Sequence, residues 1–390
     1  MHLHSISTLS SKLAKSKQIR KRFLTGLWIV FFLFVFDVSI NFLFPYPSDP
    51  QVTSPGQLNL YFEYGRSVEG KLARMIGSTD ESSAPIAQAG WLDPQLWKKL
   101  NIPKNRAPGE DLLVAIYGMS FSNQVGEAMK EMDGKIGLRL VAGPAAPPNY
   151  AFAAYKLDRG NQQADVAILG ILASSVKALR TISGLTWNFE TPFPFTYPRY
   201  FVEDGKLKEI WPKVLSLAQL RAVMQDQQQW QEFVSQMREN DQFFNSFLFK
   251  RNWLDNSAIV RLIRRAYAQR HQGMMANKVY TSAGFNAEKD IPVLSAIVTD
   301  FAATARSDGK LPIVLLISDR GYEDRLFQAL SPTLETAKIP YVSTHNIAPA
   351  TDIGNFVADG HFTESANKLI AKAVLKLINE HVERRNVLKQ

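Results

Sequence analysis

Six apolar residues in succession, Leu112-Leu113-Val114-Ala115-Ile116-Tyr117, open an alternation of apolar runs and helical patterns that continues to the end of the chain. A continuous, partly β-branched run of this length predicts a strand buried on both faces. From Ser122 the pattern turns helical to residue 132, with Val125, Met129 and Met132 on one face. Strand 136–141, helix 149–157, strand 165–170 and helix 173–183 follow. The alternation lapses over 186–288 and resumes with helix 291–306, strand 313–318, helix 321–336, a short strand near 340–342 and a last helix over 363–383. Strands alternating with helices in this way predict an α/β fold built on a parallel sheet.

A different pattern precedes it. Residues 23–44 are almost all Phe, Leu, Val, Ile and Trp, broken only by Thr25, Asp37, Ser39 and Asn41 among polar types. At 1.5 Å per residue such a run matches the ~30 Å of a hydrocarbon core, which predicts a transmembrane helix. Pro45-Tyr46-Pro47-Ser48-Asp49-Pro50 follows in place of a small-x-small cleavage site, so the expectation is an uncleaved anchor. Residues 45–109 read as a stalk and packing segment, with helical patterns near 58–75 and 94–100. Between the two halves of the α/β pattern, 186–201 is dense in aromatics and proline, and long helical patterns follow at 214–237 and 241–272. This predicts a helical insertion over about 186–288, of the kind that forms lids or substrate caps.

Charge refines the picture. The net charge of +9 suggests nucleic acid, but six of the positive charges are Lys12, Lys15, Lys17, Arg20, Lys21 and Arg22, and no acidic residue lies among the first 22. Without them 39 basic residues face 36 acidic ones, so nucleic-acid binding by the folded part is not indicated. A basic head beside an apolar span instead marks the cytoplasmic side, and the remainder is expected outside the cytoplasm, periplasmic or at the cell surface. The chain has no cysteine and its six histidines are scattered, so no metal-ligand spacing arises. Neither a phosphate-binding loop nor a dinucleotide fingerprint occurs, and no cofactor is implied.

Two short segments carry the candidate chemistry. Gly118-Met119-Ser120 closes the first strand, and Asp359-Gly360-His361 precedes the last helix. Ser120 is expected at the carboxyl end of a strand and near a helix N-terminus, where ligands collect and an oxyanion can be stabilised. In an extended loop Asp359 and His361 would point to one side. A serine, a histidine and a carboxylate suffice to activate a hydroxyl nucleophile. Each segment also has an ordinary explanation, since serine caps helices and Asp-Gly makes turns.

An apolar strand ending in Gly-x-Ser, Gly126 six residues beyond that serine, and a C-terminal Asp-x-His before a helix together resemble the SGNH/GDSL hydrolases. The resemblance covers 110–185 and 289–383. It implies a flavodoxin-like three-layer α/β/α sandwich, with Ser120 as nucleophile, His361 as general base and Asp359 as its partner. It also implies an oxyanion hole from the Ser120 and Gly143 amides and a side-chain donor after the third strand. That donor is an asparagine in the family, but Gly170-Ile171-Leu172-Ala173 holds none here. Asn149 is the nearest substitute in chain order, and a helix cap is its alternative role. The sequence leaves two readings open. One is a membrane-anchored esterase or acyltransferase acting on a glycan or lipid ester; the other is an inactive sandwich that binds glycan or holds an envelope assembly together.

Overall fold

The computed structural model describes residues 4–47, 53–76, 90–144, 146–282 and 284–387. Parts of the expected basic head, of the 45–50 turn and of the stalk (1–3, 48–52, 77–89) lie outside the described residues.

Strands β1 (Leu112–Gly118), β2 (Ile136–Ala142) and β3 (Val166–Leu172) come from the first half of the α/β pattern. The hairpins β4 (Arg199–Glu203)/β5 (Lys206–Ile210) and β6 (Tyr280–Thr281)/β7 (Gly284–Phe285) lie in the insertion, and β8 (Leu311–Ile317) and β9 (Tyr341–Ser343) come after it. The central sheet runs β2-β1-β3-β8-β9 with every pairing parallel. This is the doubly wound flavodoxin-like order, in which the chain reverses direction across the sheet between β1 and β3. Helices Pro148–Asp158 and Asp290–Ser307 pack on one face of the sheet, and Ser120–Met132 and Glu364–Val387 pack against each other on the opposite side. Helices on both faces explain why β1, β3 and β8 are unbroken apolar runs rather than alternating ones.

One polar cluster sits inside this core. Arg139 of β2 meets Asp158 through Nε–Oδ2 at 2.7 Å and Nη2–Oδ1 at 2.6 Å, and their side chains are 3% and 1% exposed. The Tyr117 hydroxyl donates to the same carboxylate at 2.7 Å, and Arg139 Nη1 donates to the carbonyls of Ile102 and Pro103. A bidentate pair with its remaining donors satisfied is the condition under which charges are tolerated in a core.

A second apolar core forms away from the sheet. Val68, Leu72 and Trp91 from the N-terminal segment pack with Leu185, Phe189, Leu220, Phe233 and Phe249 of the insertion. Residues 57–76 are therefore fastened along the insertion. Ser67 Oγ bonds Asp255, and Trp230 Nε1 donates to Glu69 at 2.8 Å. Lys71 Nζ donates to the Tyr64 carbonyl at 2.7 Å, and burial pulls its pKa down to about 7. Arginines of helix Ala258–Ala276 are fastened in the same way. Arg264 pairs with Asp255 at 2.7 Å, Arg261 with Glu63 and Arg265 with Glu190. Their partners come from distant sequence, so helical periodicity on 241–272 alone did not reveal them. His271 is buried beside the Phe243 carbonyl.

The N-terminal helix runs His4–Leu43, and its stretch Gln18–Leu43 is long and apolar enough to cross a membrane. Its C-terminal end is docked on the insertion. Asp37 Oδ1 accepts from Ser257 Oγ and from Ile259 N, each at 2.9 Å, and Asn41 Oδ1 accepts from Arg261 Nη2 at 2.6 Å. Phe44 stacks on Phe62.

Candidate active site

Ser120 is the first residue of helix Ser120–Met132, two residues beyond the end of β1. Within the helix, Ser122 N and Asn123 N bond the Met119 carbonyl, so the Ser120 and Phe121 amides have no acceptor in their own helix. Both lie at the positive end of the helix dipole. What fixes the helix so close to the sheet is a set of glycines. A Cβ on Gly170 would stand 2.0 Å from Ser122 Oγ, one on Gly118 2.5 Å from the same atom, and one on Gly126 2.6 Å from Ile116 Cδ1. Ser122 thus occupies a slot that only glycines on two adjacent strands leave open. Met119 is buried in the core.

His361 arrives from the other end of the chain. The loop before it is pinned by Val357 N to the His361 carbonyl at 2.8 Å and by a bridge between Phe356 and Phe362. Gly360 adopts φ +92°, a left-handed conformation that suits glycine. The segment is a turn, in place of the extended loop expected from the sequence. The Thr363 hydroxyl accepts from Ala366 N at 3.3 Å and so caps the final helix. That helix packs on the helix of Ser120 and brings the base over the nucleophile. Ser120 Oγ and His361 Nε2 are 2.7 Å apart.

Asp359 Oδ1 lies 3.1 Å from His361 Nδ1 and also accepts from the His361 backbone amide at 3.0 Å. The oxygen is shared: the contact with Nδ1 is close in distance but not aligned as a hydrogen bond. The backbone amide of His361, with the imidazole close by, holds the Asp359 carboxyl below the usual carboxylate range, although its side chain is 68% exposed. Three of the expected residues are therefore brought together. A fourth was not foreseen: the Phe121 ring stacks on the His361 imidazole at 4.7 Å between centroids and meets Phe362 edge-on. Its place immediately after the serine was the available signal.

The oxyanion candidates divide. Gly143 directly follows β2, and a Cβ there would press on Gly90 at 2.6 Å and on the Tyr150 ring. Asn149 is a correction. It is fully buried, and its amide nitrogen faces the carbonyls of Pro198, Ala178 and Thr181 at 3.0, 3.3 and 3.5 Å. It does not cap its helix either, for Pro147 holds that position. The side chain instead ties the first turn of Pro148–Asp158 to the turn at 178–181 before the insertion and to Pro198 within it. Asn149→Ala is accordingly expected to cost about 1–3 kcal/mol of stability with ester turnover per folded molecule nearly unchanged; melting and kinetics on the one variant check this.

Other edge residues do not join the triad. Asp319 and Arg320, just beyond β8, have separate partners. Asp319 accepts from Ser174 N at 3.1 Å and is raised in pKa by burial, while the Arg320 guanidinium lies over Phe356. His345 contacts Ser343 Oγ through Nδ1 at 2.7 Å and stacks on Phe327. No group of His, Asp and Glu among the described residues is placed to hold a metal ion.

No family model matches the chain, and no curated protein matches it. Among solved structures it is similar to a protein named as lipolytic, of G-D-S-L family, from Desulfitobacterium hafniense DCB-2, at 8% identity and TM-score 0.32 over 68% of this chain and 99% of that one. It is similar also to a protein named as an acylhydrolase from Bacteroides fragilis NCTC 9343, at 9% identity and TM-score 0.36 over 75% and 98%. A third is the psychrotrophic esterase EstA from Pseudoalteromonas sp., at 10% identity and TM-score 0.31 over 70% and 100%.

Proposed function

We propose that the protein is an SGNH-type serine esterase or O-acyltransferase, tethered to a membrane by its N-terminal helix. The observation that carries this reading is the 2.7 Å approach of Ser120 Oγ to His361 Nε2 between positions 241 residues apart, at the sheet edge where doubly wound folds gather ligands. In the proposed reaction His361 Nε2 takes the Ser120 proton as Oγ attacks an ester carbonyl, and Asp359 favours the tautomer with hydrogen on Nδ1. The resulting oxyanion is held by the amides of Ser120 and Gly143. Collapse breaks the ester C–O bond, and the alcohol leaves with the proton carried by His361. The acyl-Ser120 intermediate then passes to water or to a sugar hydroxyl through the same base.

The basic residues at positions 12–22 favour an N-terminus in the cytoplasm and a catalytic domain outside it. A tether on that side brings the site to esters of cell-envelope glycans or lipids. A second reading, an inactive sandwich that binds glycan or scaffolds an assembly, is favoured by one observation: the Asn149 amide is committed elsewhere and supplies no side-chain oxyanion donor. A fluorophosphonate probe on the detergent-solubilised full chain separates them. Labelling that is lost in Ser120→Ala is the expected result; a folded protein that takes no label at Ser120 points to the scaffold.

A further inference from the structure

We infer that the insertion is a second membrane-contacting element, lying in the boundary between lipid headgroups and acyl chains beside the span. This rests on the reading of the N-terminal helix as an anchor. Counted from residue 23 at 1.5 Å per residue, Asp37 stands about 21 Å and Asn41 about 27 Å along a hydrocarbon core ~30 Å thick. Both are gripped by the insertion, Asp37 through Ser257 and Ile259 N, and Asn41 through Arg261. The first turn of helix Ala258–Ala276 therefore sits level with the outer third of the apolar span. Chain at that height faces lipid on any side that the protein does not cover.

The uncovered side has the composition that such a place requires. Trp253 is 80% exposed and Ile263 58% exposed, one just before that helix and the other on its second turn. Arg261 and Arg264, on the same helix, are turned inward and paired with Glu63 and Asp255, so the cationic side is not the one presented outward here. Leu58 and Tyr61, on helix Gln57–Glu63, are exposed as well, and this helix is tied to the end of the span by Asn59 Nδ2 bonding the Pro45 carbonyl. Lys250 and Arg251, both exposed, immediately precede this tryptophan region. Aromatic and aliphatic side chains flanked by cations are the signature of segments that rest in the interface. Water as the permanent neighbour of this patch would leave a large indole and an isoleucine unburied beside a helix already immersed in lipid.

The natural absence of cysteine makes the test direct. Trp253→Cys, Ile263→Cys and, as controls, Leu27→Cys in the span and Lys338→Cys on the sandwich are each labelled with an environment-sensitive fluorophore. The full-length proteins are placed in phosphatidylcholine–phosphatidylglycerol nanodiscs with or without a doxyl quencher near the top of the acyl chain. Blue-shifted emission at 253 and 263, most of it lost to the shallow quencher, with 338 unaffected, is the expected result. If 27 reports hydrocarbon while 253 and 263 report water, the anchor stands and the inference is overturned. Blue-shifted emission at 253 and 263 that the lipid quencher leaves intact assigns the patch to protein contact and overturns it also. If 27 itself reports water, the anchor reading fails and takes the inference with it.

Discussion

Replacing His361 with alanine is expected to lower ester turnover by about ten-thousandfold to a millionfold, or about 5–8 kcal/mol of transition-state stabilisation, while the fold persists. The imidazole is held by its bond to Ser120 and by the face of Phe121, a residue of the main apolar core, but His361 itself belongs to neither of the two cores. Asp359→Asn is expected to cost much less, about tenfold to a hundredfold. The carboxylate is largely in water, and the oxygen nearest the imidazole is shared with a backbone amide, so solvent screens what it contributes. Steady-state kinetics on both variants, with circular dichroism to establish folding, decide the matter. Equal losses would mean that the Asp359 loop closes over the site when substrate is bound.

Arg139→Leu is expected to be the most damaging single change to stability, at about 3–5 kcal/mol, because it strands the Asp158 carboxylate in the core with only the Tyr117 hydroxyl as donor. Pairing it with Asp158→Leu should recover part of that loss, since removing both charges leaves no uncompensated ion. Denaturant unfolding of the single and double variants in the same detergent measures both quantities. A double variant worse than the single would show that the ion pair supports the sheet by more than mutual compensation.

Much of the sandwich was written in period and punctuation. The runs ending at Tyr117 and Val141 correspond to strands that end one residue later, at Gly118 and Ala142, and the last helix was expected one residue before its observed start at Glu364. The third strand was cut short because Gly170 was read as its end. The strand continues to Leu172 with Gly170 paired to Leu315, and the glycine is there for Ser122 to approach. Local pattern cannot register a neighbour that comes from another element. The insertion failed in the same way. Its two long helical patterns are interrupted at Asp226, Asn245, Asn252 and Ser257, whose side chains accept from following amides and start new helices. The hairpin around Asp204-Gly205 carried a legible turn signal that was passed over. At the site, residue type and chain order were enough to select Ser120, His361 and Asp359. Nothing in the sequence showed that Asn149 would be called on by the carbonyls of Ala178 and Pro198.

The grip of Asp37 on Ile259 bears on where the cooperative unit begins. Hydropathy places the edge of the soluble part after residue 44, the point at which a crystallographer would cut. Such a cut removes the acceptor of Ser257 Oγ and Ile259 N, the Asn41 side-chain oxygen to which Arg261 donates, and the ring on which Phe62 stacks. The last turns of the N-terminal helix belong to the tertiary structure of the insertion as much as Leu72 or Phe233 do. A fragment defined by solubility and one defined by folding are two different molecules here, and they differ by the residues from 37 to 44.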